Sequence, residues 1–543
     1  MKRTRAMSLL LVGVLALTGC STTGTTDTGS ATTTASSTST AQTLSTIDTT
    51  DLFSSRDLEV GYDEETSAKI TLSGDSASSD SDAVKVDGST ITITDEGTYI
   101  LSGTLNDGQI IVNAEDADKV QLVLNGVNIT SSTSAAIYVA QADKVFVTTA
   151  SGSENTLTNG GEYIAIDDNN IDAVIFSKSD LTLNGEGSLT IDAKAGHGIV
   201  SKDDLVLTSG TYTITAASQG LSGKDSVCIA DGTYTITSGK DAIHSENTDD
   251  TNKGFVYIAG GTFTVQADGD GISASASVQI DDGKFSITTG EGSASATMKT
   301  EQMGDPRQQQ NQTQTTTENT DTDTDSTSQK GIKSGTTLTI NGGTFETDTV
   351  DDSIHAGGDI AVTDGTFTLK TGDDAMHSDA NVTIQGGAFS IPYCYEGIEG
   401  LTVTIDDGTF DITANDDGIN AADGSATSNR PGEANDNCAI TVNGGEFTIV
   451  SDGDCLDSNG ALTIAGGTLN LTCNGNGNTA LDCDGTYTNT GGSVTTNDGS
   501  EENPNEMGGG GQGAPNNQNG QGGPNGGNPP SGGQNQQKDG ETT

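Results

Sequence analysis

The sequence predicts an all-β fold, a right-handed single-stranded parallel β-helix with roughly 22 residues in each coil. Three observations carry the prediction. Near-copies of one segment recur: Val256-Tyr-Ile-Ala-Gly-Gly-Thr-Phe263, Leu338-Thr-Ile-Asn-Gly-Gly-Thr-Phe345, Val382-Thr-Ile-Gln-Gly-Gly-Ala-Phe389 and Ile440-Thr-Val-Asn-Gly-Gly-Glu-Phe447. An aromatic marker stands at Tyr212, Tyr234, Phe263, Phe285, Phe345, Phe367, Phe389, Phe410 and Phe447, mostly 21 or 22 residues apart. The longer intervals coincide with polar stretches at about 246–254, 291–329 and 421–437, which leave the frame intact, as loops leaving one face of a stack do.

Within a unit, an alternating apolar pair such as Val382 and Ile384 reads as a half-buried strand, a Gly turn follows, and a second pair such as Phe389 and Ile391 reads as another strand. A third short strand carries Ile243, Ile354, Met376, Ile398, Ile419 or Leu456 inward. Three strands and their turns fit the repeat; a strand with a covering helix does not. One coil cannot bury its own apolar side, so coils must stack at about 4.8 Å, and the crossover rule favours the right-handed path.

Taken in order, residues 1–20 read as a lipoprotein signal peptide. Lys2, Arg3 and Arg5 precede an apolar run, Leu9 to Leu17, too short for a stable span. Leu17-Thr-Gly-Cys20 resembles a bacterial lipobox, which predicts lipidation at Cys20 and a mature chain held outside the cell, anchored to the bacterial membrane only by its lipid. Residues 21–50 read as a Ser/Thr-rich linker and 51–89 as an N-terminal cap region. Coils are expected over 90–496, with weaker copies at Val120–Leu124 and Leu181–Leu183, interrupted by a disordered insertion at 291–329. The insertion holds Asp321-x-Asp323-x-Asp325, but Ser326 and Ile332 stand where a calcium-binding EF loop needs Gly and Glu. Residues 497–543 read as a disordered Gly/Asn/Gln-rich tail.

The net charge of −55 argues against nucleic-acid and anionic-membrane partners, which are polyanions themselves. Much of the acid is ordered. The turn into the third strand repeats as Lys240-Asp-Ala-Ile-His244, Asp268-Gly-Asp-Gly-Ile-Ser273, Asp351-Asp-Ser-Ile-His355, Asp373-Asp-Ala-Met-His377, Tyr395-Glu-Gly-Ile-Glu399, Asp416-Asp-Gly-Ile-Asn420 and Asp452-Gly-Asp-Cys-Leu-Asp457. Stacking places Asp241, Asp270, Asp352, Asp374, Glu396, Asp417 and Asp454 in one column, expected to face outward, and His244, His355, His377, Glu399, Asn420 and Asp457 in a second. Two carboxylates about 4.8 Å apart repel by about 3–4 kcal/mol at an effective dielectric near 20. A hard cation removes the conflict, and Ca²⁺, with six to eight oxygen ligands in flexible geometry, suits the ladder better than Mg²⁺. The candidate ligands are Asp241, Asp268, Asp270, Asp351, Asp352, Asp373, Asp374, Glu396, Asp416, Asp417, Asp452, Asp454 and Asp457. Turn preference accounts for one Asp per coil but poorly for the doubled acids. The His column lacks Cys, which argues against tetrahedral zinc and for neutral side chains that hydrogen-bond to the acids. Cys228, Cys394, Cys438, Cys455, Cys473 and Cys483 leave disulfide pairing open.

The lipobox, the Gly-Gly-Thr-Phe coils and the Asp-Asp-Gly-Ile turns together resemble the clostridial carbohydrate-binding β-helix family, whose fold is that of pectate lyases. The resemblance covers most of 90–490. It implies a monomeric surface protein that binds Ca²⁺ and plant cell-wall polysaccharide, acidic pectin such as polygalacturonate with cellulose as a further candidate, and has no established cleavage activity. It leaves the sugar-binding residues unassigned and implies no catalytic residues. Two rivals stand beside it. A Ca²⁺-dependent polysaccharide lyase would need a base, for which Lys330, Lys333 and Lys370 are candidates. A structural stalk or adhesin would have no glycan affinity.

Overall fold

The structure, a computed structural model, describes residues 47–296, 328–424 and 433–504. Cys20, the linker before residue 47, the Asp321 motif, Arg430 and the tail beyond residue 504 lie outside the described residues.

Alternation of apolar and polar side chains produces strands with one buried face, and the strands pair in parallel with their equivalents in the next coil. One coil comprises Ile354–Ala356, Ile360–Val362 and Thr366–Thr371. Its strands pair with Met376–Ile384 and Ala388–Cys394, so that Ile354 faces Met376, Ile360 faces Val382 and Phe367 faces Phe389. This parallel pairing runs through the described residues as a β-solenoid. The exceptions are two antiparallel hairpins at the N-terminal end, Ala68–Gly74 with Ala77–Ser79 and Val84–Asp87 with Thr90–Ile93.

The inward side chains form files along the stack. Ile243, Ile354, Met376, Ile398, Ile419 and Leu456 are fully buried. Tyr212, Tyr234, Phe263, Phe285, Phe345, Phe367, Phe389, Phe410 and Phe447 stack with ring centroids 4.5–5.3 Å apart and planes within 9° of parallel. Strand spacing imposes that near face-to-face geometry, because each ring hangs from an equivalent position one coil further on. The Gly two residues before the ring is required by space as well as by backbone. Gly365 has φ +144°, and a Cβ there would sit 2.8 Å from the Phe367 ring.

Of the segment expected to cap the stack, the part from Ala68 onward forms the hairpins, and Ala68–Gly74 already pairs in parallel with Gly97–Leu105. The part before it lies along the flank of the coils. The Ile47 N–H donates to Gln279, Phe53 packs on Tyr257, Arg56 lies 4.4 Å over the Phe146 ring, and buried Asp57 meets Lys144 at 2.8 Å and the Thr182 hydroxyl at 2.6 Å. The outward positions beneath it include Phe146, Val206, Cys228 and Tyr257, which need cover. Beyond Gln279 the same file continues as Thr339, Ala361, Thr383, Thr404, Thr441 and Thr463, which do not.

Candidate metal and glycan site

The parallel register sets both predicted columns. With Ile272, Ile332, Ile354, Met376, Ile398, Ile419 and Leu456 facing one another in turn, the residues two positions earlier are Asp270, Lys330, Asp352, Asp374, Glu396, Asp417 and Asp454. The second column runs His244, Ser273, Lys333, His355, His377, Glu399, Asn420, Asp457 and Asp482. The coil after the insertion therefore puts a lysine into each column.

The first column is not an outward file, which corrects the expectation from sequence. Asp241, Asp270, Asp352 and Asp374 are buried, with Asp270 and Asp352 only 2 % exposed. They turn inward because one carboxylate oxygen of each accepts the backbone N–H of the equivalent residue one coil on. Oδ1 of Asp241 takes that of Asp270 at 2.8 Å, Asp270 that of Lys330 at 2.8 Å, Asp352 that of Asp374 at 3.1 Å, Asp374 that of Glu396 at 3.2 Å, and Asp417 that of Asp454 at 2.6 Å. A carboxylate that satisfies a backbone donor at each turn accounts for the recurring acid by itself. Three of the second oxygens meet histidines: Asp241 Oδ2 lies 2.7 Å from His244 Nδ1, Asp352 Oδ2 3.0 Å from His355 Nδ1 and Asp374 Oδ2 3.1 Å from His377 Nδ1. That is the hydrogen-bonding role expected of the His column, but the neighbouring acids favour the charged form of His244 and His377, not the neutral one expected from sequence.

Charge is balanced differently along the ladder. Lys330, with a side chain 11 % exposed, places Nζ 2.7 Å from Asp351 and 3.1 Å from Asp352. Burial alone would raise the Asp352 carboxyl; Lys330 and His355 outweigh it and hold the group well below the usual carboxylate range. Burial disfavours charge on His377, but Asp374 and Asp379 push its pKa to about 12, so it stays cationic. After Lys370 the sequence offers no Lys or Arg before residue 505 except Arg430. There the carboxyls move the other way. Glu396 is raised well above its ordinary value by burial and then by Glu399, Asp374 and Asp417; Asp417 is raised by burial and then by Asp457, Asp416 and Asp454.

Among the described residues, five groups bring three ligand atoms within 4.8 Å of one another. Asp351, Asp352 and Asp373 form one, already served by Lys330; Asp352 with His355 and His377 forms another; and Asp374 with His377 and Glu399 a third. Asp454, Asp457 and Asp482 make an all-oxygen group in the part of the ladder without lysine, and Asp180, Asp203 and Asp204 make a fifth on another turn. Of the predicted ligands, Asp241, Asp268, Asp270, Glu396, Asp416, Asp417 and Asp452 join no such group, and Asp268 and Asp452 are exposed. Asp482 and the Asp180 group were missed. The second-column position, one residue after the inward Leu481, would have found Asp482, whereas the Asp180 turn has no copy in the strong repeats.

Beside the all-oxygen group, Asn420 is buried and its amide donates to Glu396 at 3.0 Å. Its carbonyl oxygen Oδ1 is fully covered and has no hydrogen-bond partner. An acceptor held dry between carboxylate neighbours in its own column, Glu399 and Asp457, calls for a cation rather than a further acceptor. The donor set is oxygen throughout, which fits a hard ion such as Ca²⁺.

A profile of the carbohydrate-binding domain-containing protein family matches residues 87–375 and 373–506. The chain belongs to this family. A member from Acetivibrio thermocellus, described as a carbohydrate-binding domain-containing protein, is 42 % identical over 229 residues, covering 42 % of this chain and 80 % of its own length. A solved structure described as a polysaccharide lyase-like protein from C. thermocellum, gadolinium derivative, is 40 % identical with a TM-score of 0.41, over 41 % of this chain and 92 % of that one. The family's description is of carbohydrate binding, and the match spans both the lysine-bearing and the lysine-free parts of the ladder.

All six cysteines of the solenoid are buried and none forms a disulfide among the described residues, Cys455 and Cys483 included. Two of the three candidate lyase bases are taken up by the ladder. Lys330 is held charged, its pKa raised by Asp352 and Asp351 against burial, and Lys333 lies 3.9 Å from Asp270. Lys370 lies 3.8 Å from Asp348.

Proposed function

We propose that the solenoid is a non-catalytic, calcium-bearing polysaccharide-binding module, tethered outside the cell through Cys20, with acidic pectin-type chains as its ligand and cellulose as a further candidate. One observation carries the calcium part: the buried, unpartnered Asn420 Oδ1 within the file Glu399, Asn420, Asp457 and Asp482. The residues that would hold the ion are Asn420, Asp454, Asp457 and Asp482. Uronate carboxylates would complete its shell, joining an acidic chain to an acidic protein. Lys330, held charged by Asp351 and Asp352, supports binding over cleavage, because a protonated, ion-paired lysine cannot take a proton from a sugar.

The test is retention on immobilised polygalacturonate in millimolar Ca²⁺ and in chelator, alongside an assay for unsaturated uronate ends. Retention that rises with Ca²⁺, with no new ends, is expected. Retention indifferent to chelator would overturn the cation bridge, and accumulating ends lost in Lys330→Ala, Lys333→Ala or Lys370→Ala would replace binding by lyase activity.

A further inference from the structure

Three lysines of this polyanionic chain stand in one file with no carboxylate at ion-pair distance among the described residues; Asp167 feels the charge of Lys178 and Glu246 that of Lys202 from further away. Ser177, Ser201 and Gly223 face one another in successive coils. The residues that follow them are Lys178, Lys202 and Lys224, whose backbones continue the ladder: Lys202 N–H donates to Ser177 O at 2.8 Å and Lys224 N–H to Ser201 O at 2.9 Å. Lys178 and Lys202 are exposed and Lys224 half-exposed. Lys202 Nζ lies 5.7 Å from the Phe176 ring centre, and none of the three is within ion-pair distance of a described carboxylate. The fourth coil ends the file with Glu246 after Ser245.

Four carboxylates share this turn, Asp180, Asp203, Asp204 and Asp225, and two of them have partners of their own. Asp225 is bonded by Lys253 and by Asn247 at 2.6 Å, and Asp204 accepts the Ser226 hydroxyl at 2.7 Å. Three ammonium groups a strand spacing apart repel one another, and an external anion with regularly repeated charges relieves the repulsion.

We propose that Lys178, Lys202 and Lys224 form a second, calcium-independent seat for an acidic polysaccharide, pairing directly with successive uronate carboxylates. This rests on the family's polysaccharide reading but not on the cation bridge. A uronate chain suits the file because it carries one carboxylate per sugar along a linear backbone.

The experiment is affinity electrophoresis of the full chain in gels containing polygalacturonate, its fully methyl-esterified form, or single-stranded DNA, all in chelator. The wild type should be retarded by polygalacturonate at low salt only, released by added salt, and ignore the ester. Lys178→Ala/Lys202→Ala/Lys224→Ala should lose at least tenfold in affinity at an unchanged melting temperature, and the single reversal Lys202→Glu should lose a large part of it. No retardation of the wild type in chelator, or a triple variant that behaves like it, would overturn the proposal; so would equal retardation by DNA, which would mark a general polyanion patch. Calcium-dependent retention that survives in the triple variant leaves the cation bridge standing when this seat fails, and chelator-resistant retention without a calcium effect does the reverse.

Discussion

Lys330 Nζ lies 3.1 Å from Oδ2 of Asp352, a lysine standing inside a column of acids one coil away from its partner. Both side chains are largely buried, at 11 % and 3 % exposure. The pair supplies within the chain a counter-charge of a kind that the lysine-free end of the ladder does not have.

Removing that lysine should leave buried Asp352 and half-buried Asp351 without their ammonium partner. Lys330→Met is expected to cost about 3–5 kcal/mol in denaturant unfolding. Lys370→Met, whose side chain is about half exposed 3.8 Å from Asp348, should change stability by less than about 1 kcal/mol. Equal losses at the two positions would contradict a built-in counter-ion.

Calcium should raise the melting temperature, since an ion bound only by the folded chain adds about 2.7 kcal/mol at a hundredfold excess over its Kd. Asn420→Ala and Asp457→Ala should weaken calcium binding in calorimetry, and Asp321→Ala, in the insertion, should leave it unchanged. A uniform effect of all three would point to diffuse charge instead of a site.

The pH dependence follows from the raised carboxyls. Glu396 and Asp417 lie well above their ordinary values, and Asp374 is pushed to about 6 by burial, Asp352 and Glu399 against the His377 bond. A group raised on folding contributes stability that is complete below its unfolded pKa and lost as pH rises through the folded one. Without calcium, stability should therefore decline from about pH 4 upward through pH 6 and beyond, with Asp352, depressed on folding, opposing the trend only at the acid end. Saturating calcium should flatten the decline. Melting curves across this range, with chelator and with calcium, check both signs.

Truncating one ring of the stacked file should be costly and local. Phe367→Ala removes a fully buried side chain between two stacked neighbours and is expected to cost about 3–5 kcal/mol. Hydrogen exchange should rise first in the strands carrying Phe345 and Phe389, because each coil contacts only its neighbours. A loss spread evenly along the stack would argue against such nearest-neighbour coupling.

Much of this protein was legible in its sequence because a parallel stack copies one local pattern. Alternation assigned the inward files of Ile354, Met376 and Ile398, and the aromatic spacing set which rings meet, since neither depends on anything beyond the adjacent coil. The same periodicity placed the acids in two columns. What periodicity could not decide was where each acid points and what it meets. That Asp352 turns inward to the next coil's N–H, that Lys330 enters its column after an insertion that hides the register, and that Lys178, Lys202 and Lys224 line up across weak repeats are consequences of strand pairing between residues distant in sequence. The flank segment at Asp57 depends on contacts more than a hundred residues away, such as Thr182, and only the tertiary structure brings them within reach.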